Sequence, residues 1–406
     1  MRRLTRCAAV ALLAALPLVA PTSLARSAPF VLFQGESAGD VGIISRAALS
    51  RFGSLLGLST TQAEAAKNLY DGYVTSYKNA QRQDRSERSR ILAAAPADKA
   101  GNKAVAEALQ QARRSHLTAL DKLDAQFMND LKSLATEQQA AAWPAVERAR
   151  RRDQLLRGVI SGESIDLFSL VDSLRLPPEV SALLKEPLGA YELDLDRALQ
   201  AKELAYREDD PLYDNGEISS RSVMTRTRRA RTAGLELRDI NERYAAMIEP
   251  LLTGDERTHF HDAFHRAEFP EVFAPTYGTR ALEAALKLAD LSDAQRDSIE
   301  GVQSRYAKDL ATANEAYADA IRAAQTDQTC VIKPTERGVL EVFTGPPNAN
   351  PVMRARKARI DLDTAVAGKL ESILTPTQFE SLPPAKTLAA SETVLMDDAS
   401  FMVIRD

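Results

Sequence analysis

Residues 58–62 read Leu-Ser-Thr-Thr-Gln, and the fold turns on what this stretch does and where it recurs. Ser59 suits a helix N-cap, because its hydroxyl can accept a backbone N–H two or three positions on. Gln62, three residues further, can bond back to the cap and complete a capping box, and Leu58 suits a hydrophobic staple ahead of it. The pattern returns as Leu134-Ala135-Thr136-Glu137-Gln138, as Leu291-Ser292-Asp293-Ala294-Gln295 and as Leu374-Thr375-Pro376-Thr377-Gln378. Two degenerate copies lie between, Leu176-Pro177-Pro178-Glu179-Val180 and Leu252-Thr253-Gly254-Asp255-Glu256. Pro177, Pro178 and Pro376 fit the first turn of a helix, where a missing N–H costs little.

The spacing turns weak motifs into an organisation. Opening and closing leucines stand 76, 76 and 83 residues apart, and the opening ones follow at intervals of 118 and 115. That is a three-fold repeat. Fifteen residues after each opening leucine stands a tyrosine: Tyr73, Tyr191 and Tyr306. Ala66, Leu184 and Ile299 share their helical face, as do Tyr77, Leu195 and Leu310, so the tyrosines read as a common packing position. Return helices follow from stripes with steps of three and four, such as Leu120, Leu123, Phe127, Leu131 and Leu134 in the first unit.

These signals predict an all-α chain of three tandem, long antiparallel helical hairpins in an elongated array. The units span 40–157, 158–273 and 274–383, each led by a short linking helix. Residues 326–351 carry strand-like runs that suggest a small β-hairpin at the third tip. The stretch 384–406 has no helical period and reads as a flexible tail.

The chain begins with Arg2, Arg3 and Arg6, then an apolar run from Cys7 to Ala20, then Ser23-Leu24-Ala25. This is the pattern of a cleavable secretory signal over 1–25, which places the protein in the periplasm or outside the cell. Losing those three arginines takes the formal charge from −4 to −7. An acidic balance of that kind, with no basic patch interleaved with aromatics, argues against nucleic acid as a partner. No later run is long enough to suggest stable membrane insertion. The run Arg148 to Arg152 reads as a solvated helix end beside the C-terminal dipole. With Cys7 in the signal, Cys330 stands alone, so no internal disulfide holds the mature fold.

The repeated Leu-Thr-x-x-Gln-like motifs heading long helices behind a signal peptide resemble the Spy/CpxP superfamily of periplasmic stress proteins. The resemblance implies curved helical hairpins, often dimeric, that act as ATP-independent chaperones or as inhibitors of sensor kinases. It covers motifs and helix lengths over about residues 40–383. This chain departs from the family in carrying three units and a net acidic mature charge.

Chemistry-bearing patterns are few. His259, His261 and His265 fall within seven residues, and His261 and His265, four apart on a helix, suit capture of Zn²⁺, Ni²⁺ or Cu²⁺. The plain alternative is a surface helix whose Phe260 and Phe264 pack inward while the histidines meet water. No nucleophile elbow, His-Glu-x-x-His or phosphate-binding glycine loop is present, and no catalytic residue is assigned. The expectation is therefore a non-enzymatic protein without a cofactor, offering apolar helix faces to unfolded or partner proteins. Metal binding or sensing and a structural envelope role are the alternatives.

Overall fold

The computed structural model describes residues 42–94, 99–158, 160–207, 213–214, 217–218, 220–327, 330–335, 338–344, 349–384, 392–396 and 400–405. The proposed signal over 1–25 lies outside the described residues.

The chain is all-α in class, with its cores built from helices. The first unit runs through α1 (Arg46–Leu56), α2 (Thr60–Ala93), α3 (Lys99–Ser133), α4 (Glu137–Ala140) and α5 (Trp143–Leu155). The second holds α6 (Leu167–Ser173), α7 (Pro178–Leu183), α8 (Lys185–Arg207), a two-residue strand pair β1 (Tyr213–Asp214) and β2 (Glu217–Ile218), α9 (Ser220–Ile248) and α10 (Gly254–Glu268). The third comprises α11 (Pro270–Phe273), α12 (Tyr277–Leu286), α13 (Asp293–Thr326), β3 (Cys330–Thr335), β4 (Gly338–Thr344), α14 (Pro351–Ile373), α15 (Pro376–Glu380), β5 (Glu392–Met396) and β6 (Ser400–Arg405).

Within each unit a long outgoing helix packs on a long return helix: α2 on α3, α8 on α9, α13 on α14. The start of α2 bonds the end of α3, through Gln62 Nε2 and the Leu134 carbonyl at 2.7 Å, so that pair runs antiparallel. Gln295 Nε2 and the Ile373 carbonyl, 3.0 Å apart, do the same for α13 and α14. In the second unit the outgoing helix breaks at Leu184, where Pro187 has no N–H to return to Leu183.

Buried apolar side chains gather by unit. Tyr70, Tyr73, Phe127, Leu131 and Val146 belong to the first core, and Leu184, Tyr191, Leu195, Leu237, Tyr244 and Phe260 to the second. The third is divided, one cluster around Tyr306, Leu370 and Ala281 and another around Tyr317, Ile321 and Val352. The unit boundaries shift slightly from those read in the sequence. Leu155 packs into the second core, and Phe269 and Val272 pack against α13 in the third.

The end of the chain departs from expectation. Instead of a structureless tail, β5 and β6 pair antiparallel and join the hairpin of β3 and β4 in a four-stranded sheet of order β3-β4-β6-β5. In the backbone register of the β4–β6 ladder, Val339 pairs with Arg405 and Phe343 with Phe401. Runs containing Val394, Val403 and Ile404 have no helical period but suit a pleated ladder, and the open edge of β4 supplies the partner. Pro334 sits on β3, an edge strand, where a missing donor is tolerated.

Candidate functional site

The register tyrosines form one recurrent node. Tyr73 donates its hydroxyl hydrogen to Asp124 Oδ1 at 2.6 Å and accepts from the Ile44 N–H at 3.1 Å. Tyr191 bonds Asn241 Oδ1 at 2.9 Å and accepts from the Leu167 N–H at 3.4 Å. Tyr306 bonds Asp363 Oδ1 and Thr276 Oγ1, and the same carboxylate accepts the Gly278 N–H at 3.0 Å. Each hydroxyl therefore ties three segments: the outgoing helix, the return helix and the entry to the short linking helix. Burial is the main cause of the raised pKa of these hydroxyls. It raises Tyr73 and Tyr191 far above the ordinary phenol range and Tyr306 to about 12. Burial also raises the Asp124 carboxyl, against the bonds it accepts from Tyr73 and Gln154.

The capping boxes form where the motif predicts, with one correction of register. Ser59 with Gln62, Ser292 with Gln295 and Thr375 with Gln378 each close a reciprocal box. In the first unit's closing motif, however, the partner of Thr136 is Gln139, and Gln138 is not the repeat position. The cap lies at Thr136 rather than one residue earlier, so its third following residue is Gln139. With that shift, Asp124, Phe127 and Thr136 correspond to Asn241, Tyr244 and Thr253 at a constant offset of 117 residues.

The glutamines do more than cap their own helices. Gln62 Nε2 reaches Gln139 Oε1 at 2.9 Å, and Gln139 Nε2 reaches the Gly57 carbonyl at 2.8 Å. Gln295 and Gln378 repeat this at 3.0 Å, with Gln378 Nε2 on the Asp290 carbonyl at 3.1 Å. One amide thus satisfies an orphan donor at a helix start and an orphan carbonyl at the neighbouring helix end. A glutamate could do only the first, having no N–H. Gln62, Gln295 and Gln378 of the complete motifs were the sequence signal for this clasp, its fourth member being Gln139 rather than Gln138. The degenerate copies place Val180 and Glu256 there, and neither Pro177 nor Thr253 caps through its side chain. Leu252, by contrast, is fully buried, while Leu58, Leu134, Leu176 and Leu291 are packed at core edges.

The basic run is not a solvated helix end. Arg151 Nε meets Asp196 at 2.7 Å, Arg148 Nε meets Glu192 at 3.0 Å, and Arg152 is buried with its guanidinium 4.4 Å from the Phe168 ring centre. These contacts join α5 to α8 and α6, so the run is the joint between the first two units. Opposing carboxylates on α8, invisible to local spacing, decide this. Behind it, Lys202 Nζ lies 2.6 Å from Glu163 and caps the Leu155 carbonyl at 3.0 Å, with both side chains buried. Gly162, at φ 80°, turns its carbonyl to Asn241 Nδ2 at 2.8 Å. The next joint uses Arg322, which bridges Glu242 at 3.0 Å and Glu268 at 2.9 Å, while Gln325 exchanges bonds with Ser161.

The histidines divide. His261 and His265 lie with ring centres 4.3 Å apart on α10, whereas His259 is exposed and takes no part. His261 Nδ1 is 3.5 Å from Glu249, and His265 Nδ1 is 4.0 Å from Glu268 Oε2. Burial, followed by the neighbouring His261, lowers the His265 pKa. Phe260 and Phe264 are buried, the Phe264 ring centre lying 6.1 Å from that of His265. Among the described residues, no group of three or more His, Cys, Asp or Glu side chains is placed to hold a metal ion. None of their helices is long and apolar enough to cross a membrane.

No known family model, curated protein or solved structure matches this chain.

Proposed function

We propose that this chain is a non-enzymatic, ATP-independent binding protein of the chaperone-like type, acting in the periplasm as the Spy/CpxP resemblance implies. The observation that carries the reading is where large apolar side chains remain in water. Among the described residues these are Leu55, Leu183, Leu193, Leu204, Met247 and Leu251, and five of the six belong to the second unit. Leu193 and Leu204 are 56% and 68% exposed and share a face of α8, three turns apart and away from Tyr191. Burying them against an extended client would contribute at about 25 cal/mol per Å². The surrounding helices are tied to both neighbouring units and need not rearrange to receive it. The test is aggregation of a reduced or heated client. Suppression at equimolar protein, lost in the Leu193→Glu/Leu204→Glu variant, supports the reading; no suppression by the unaltered chain overturns it.

A second reading, metal capture, draws on the His261–His265 pair and on two buried atoms beside it, His265 Nδ1 and Glu268 Oε2, that have no hydrogen-bond partner. Zinc titration of the chain and of His261→Ala decides it, equal affinities removing the idea.

A further inference from the structure

The third unit differs from the others at its tyrosine node. α12 and α13 leave a cavity of about 270 Å³ lined by Thr279, Leu282, Gln303, Tyr306, Leu310 and Asn314, together with the exposed Ala307 and Ala311. The repeat register shows what has been removed. The counterpart of Gln303 in the first unit is Tyr70, whose ring lies 6.0 Å from Phe127 and whose hydroxyl donates to the Ile44 carbonyl at 3.0 Å. Leu310 stands where the first unit has Tyr77. The second unit places Leu188 and Leu195 at these positions and Leu199 at that of Asn314. Only the third unit combines lost rings with an amide, the first unit's counterpart of Asn314 being Gln81 beside its tyrosines.

That amide is not satisfied from within. Asn314 is 8% exposed, lines the cavity, and its Oδ1 has no hydrogen-bond partner. A buried acceptor left unpaired costs about 1–3 kcal/mol. The Tyr306 hydroxyl is committed to Asp363 and Thr276.

We propose that this cavity binds a small neutral molecule with a flat apolar body and a hydroxyl hydrogen to donate, a phenol-type ligand. The ring lies against Leu282 and Leu310, where the first unit supplies its own tyrosines, and the hydroxyl donates to Asn314 Oδ1. No charged side chain lines the space, so an ionic ligand would lose hydration without compensation. The volume fits a fragment rather than a drug-sized molecule. The site stands independently of client binding on the second unit.

The experiment titrates the full chain with phenol and follows the Leu282 and Leu310 methyl resonances and the Asn314 side-chain amide. A saturable shift of all three is expected. Benzene, equal in shape but without the donor, should bind about tenfold more weakly, equivalent to about 1.4 kcal/mol. Gln303→Tyr, which restores the first unit's ring, should abolish the saturable shift, and Asn314→Leu should remove the preference for phenol over benzene. No saturation with phenol, equal affinities for phenol and benzene in the unaltered chain, or undiminished phenol binding in Gln303→Tyr would each overturn the proposal. The phenol–benzene comparison needs no variant to fold.

Discussion

The first and second units use the same tyrosine node but are held shut differently. In the first, Gln62 and Gln139 clasp the two helix ends together, and Tyr73 bonds a carboxylate. In the second, Val180 and Glu256 stand in place of the clasp, and Tyr191 bonds the neutral amide of Asn241. What the second unit lacks internally it receives from its neighbours, through Arg151 and Arg148 on one side and Arg322 and Gln325 on the other. A repeat with neighbours on both sides can be held at its interfaces, whereas an outer repeat must close itself. The third unit, with a neighbour described on one side only, has the clasp again.

This contrast can be broken first at the buried pair inside the second unit that backs its joint, where Lys202 also holds the Leu155 carbonyl. Lys202→Met leaves Glu163 charged and uncompensated, and should cost about 3–5 kcal/mol in denaturant unfolding, more than any clasp substitution. If the loss were no greater than that of an exposed lysine, the second unit would not depend on its joint.

Next come the nodes. Tyr73→Phe takes from a carboxylate one of its two side-chain donors, leaving Gln154, and should cost about 1.5–3 kcal/mol, while Tyr191→Phe takes a donor from a neutral amide and should cost about 1 kcal/mol. Equal losses in thermal unfolding would erase the distinction between the acid and amide nodes.

The clasp itself gives a smaller effect with a sharp internal control. Gln139→Ala removes both the capping box and the cross-link and should cost about 1 kcal/mol, whereas Gln138→Ala should change stability by under about 0.5 kcal/mol. The reverse order would return the repeat register to Gln138.

The smallest effect is a pH slope. Burial raises the folded-state pKa of Asp124 above its unfolded value, so its contribution to stability is present at low pH and is lost as pH rises through the folded pKa. Asp124→Asn, which copies the second unit, should remove that slope. The stability of the unaltered chain relative to the variant should therefore fall as pH rises from acid toward neutrality, and a difference that stays flat would show no such linkage.

Much of this was legible along the chain because it is local. Ser59, Ser292 and Thr375 declare helix starts through their own hydroxyls. Tyr73, Tyr191 and Tyr306 declare a common face through spacing alone. The ends of the return helices were harder: Gln138 and Gln139 both satisfy the motif by eye, and only the position of the Thr136 cap chooses between them. The tail was misread because its short strands carry no helical period, and the β4 edge that β6 joins lies some sixty residues earlier.

By itself the sequence determined the helices, their caps, the three-fold register and the buried face of each, since capping and periodicity act within a few residues. Tertiary structure alone decided that the arginine run would be a joint, that the glutamines would meet in pairs, that the tail would become strands and that the third node would be left hollow. Each of these depends on which surfaces are brought opposite one another, and neither charge nor volume can be matched until both sides are in place.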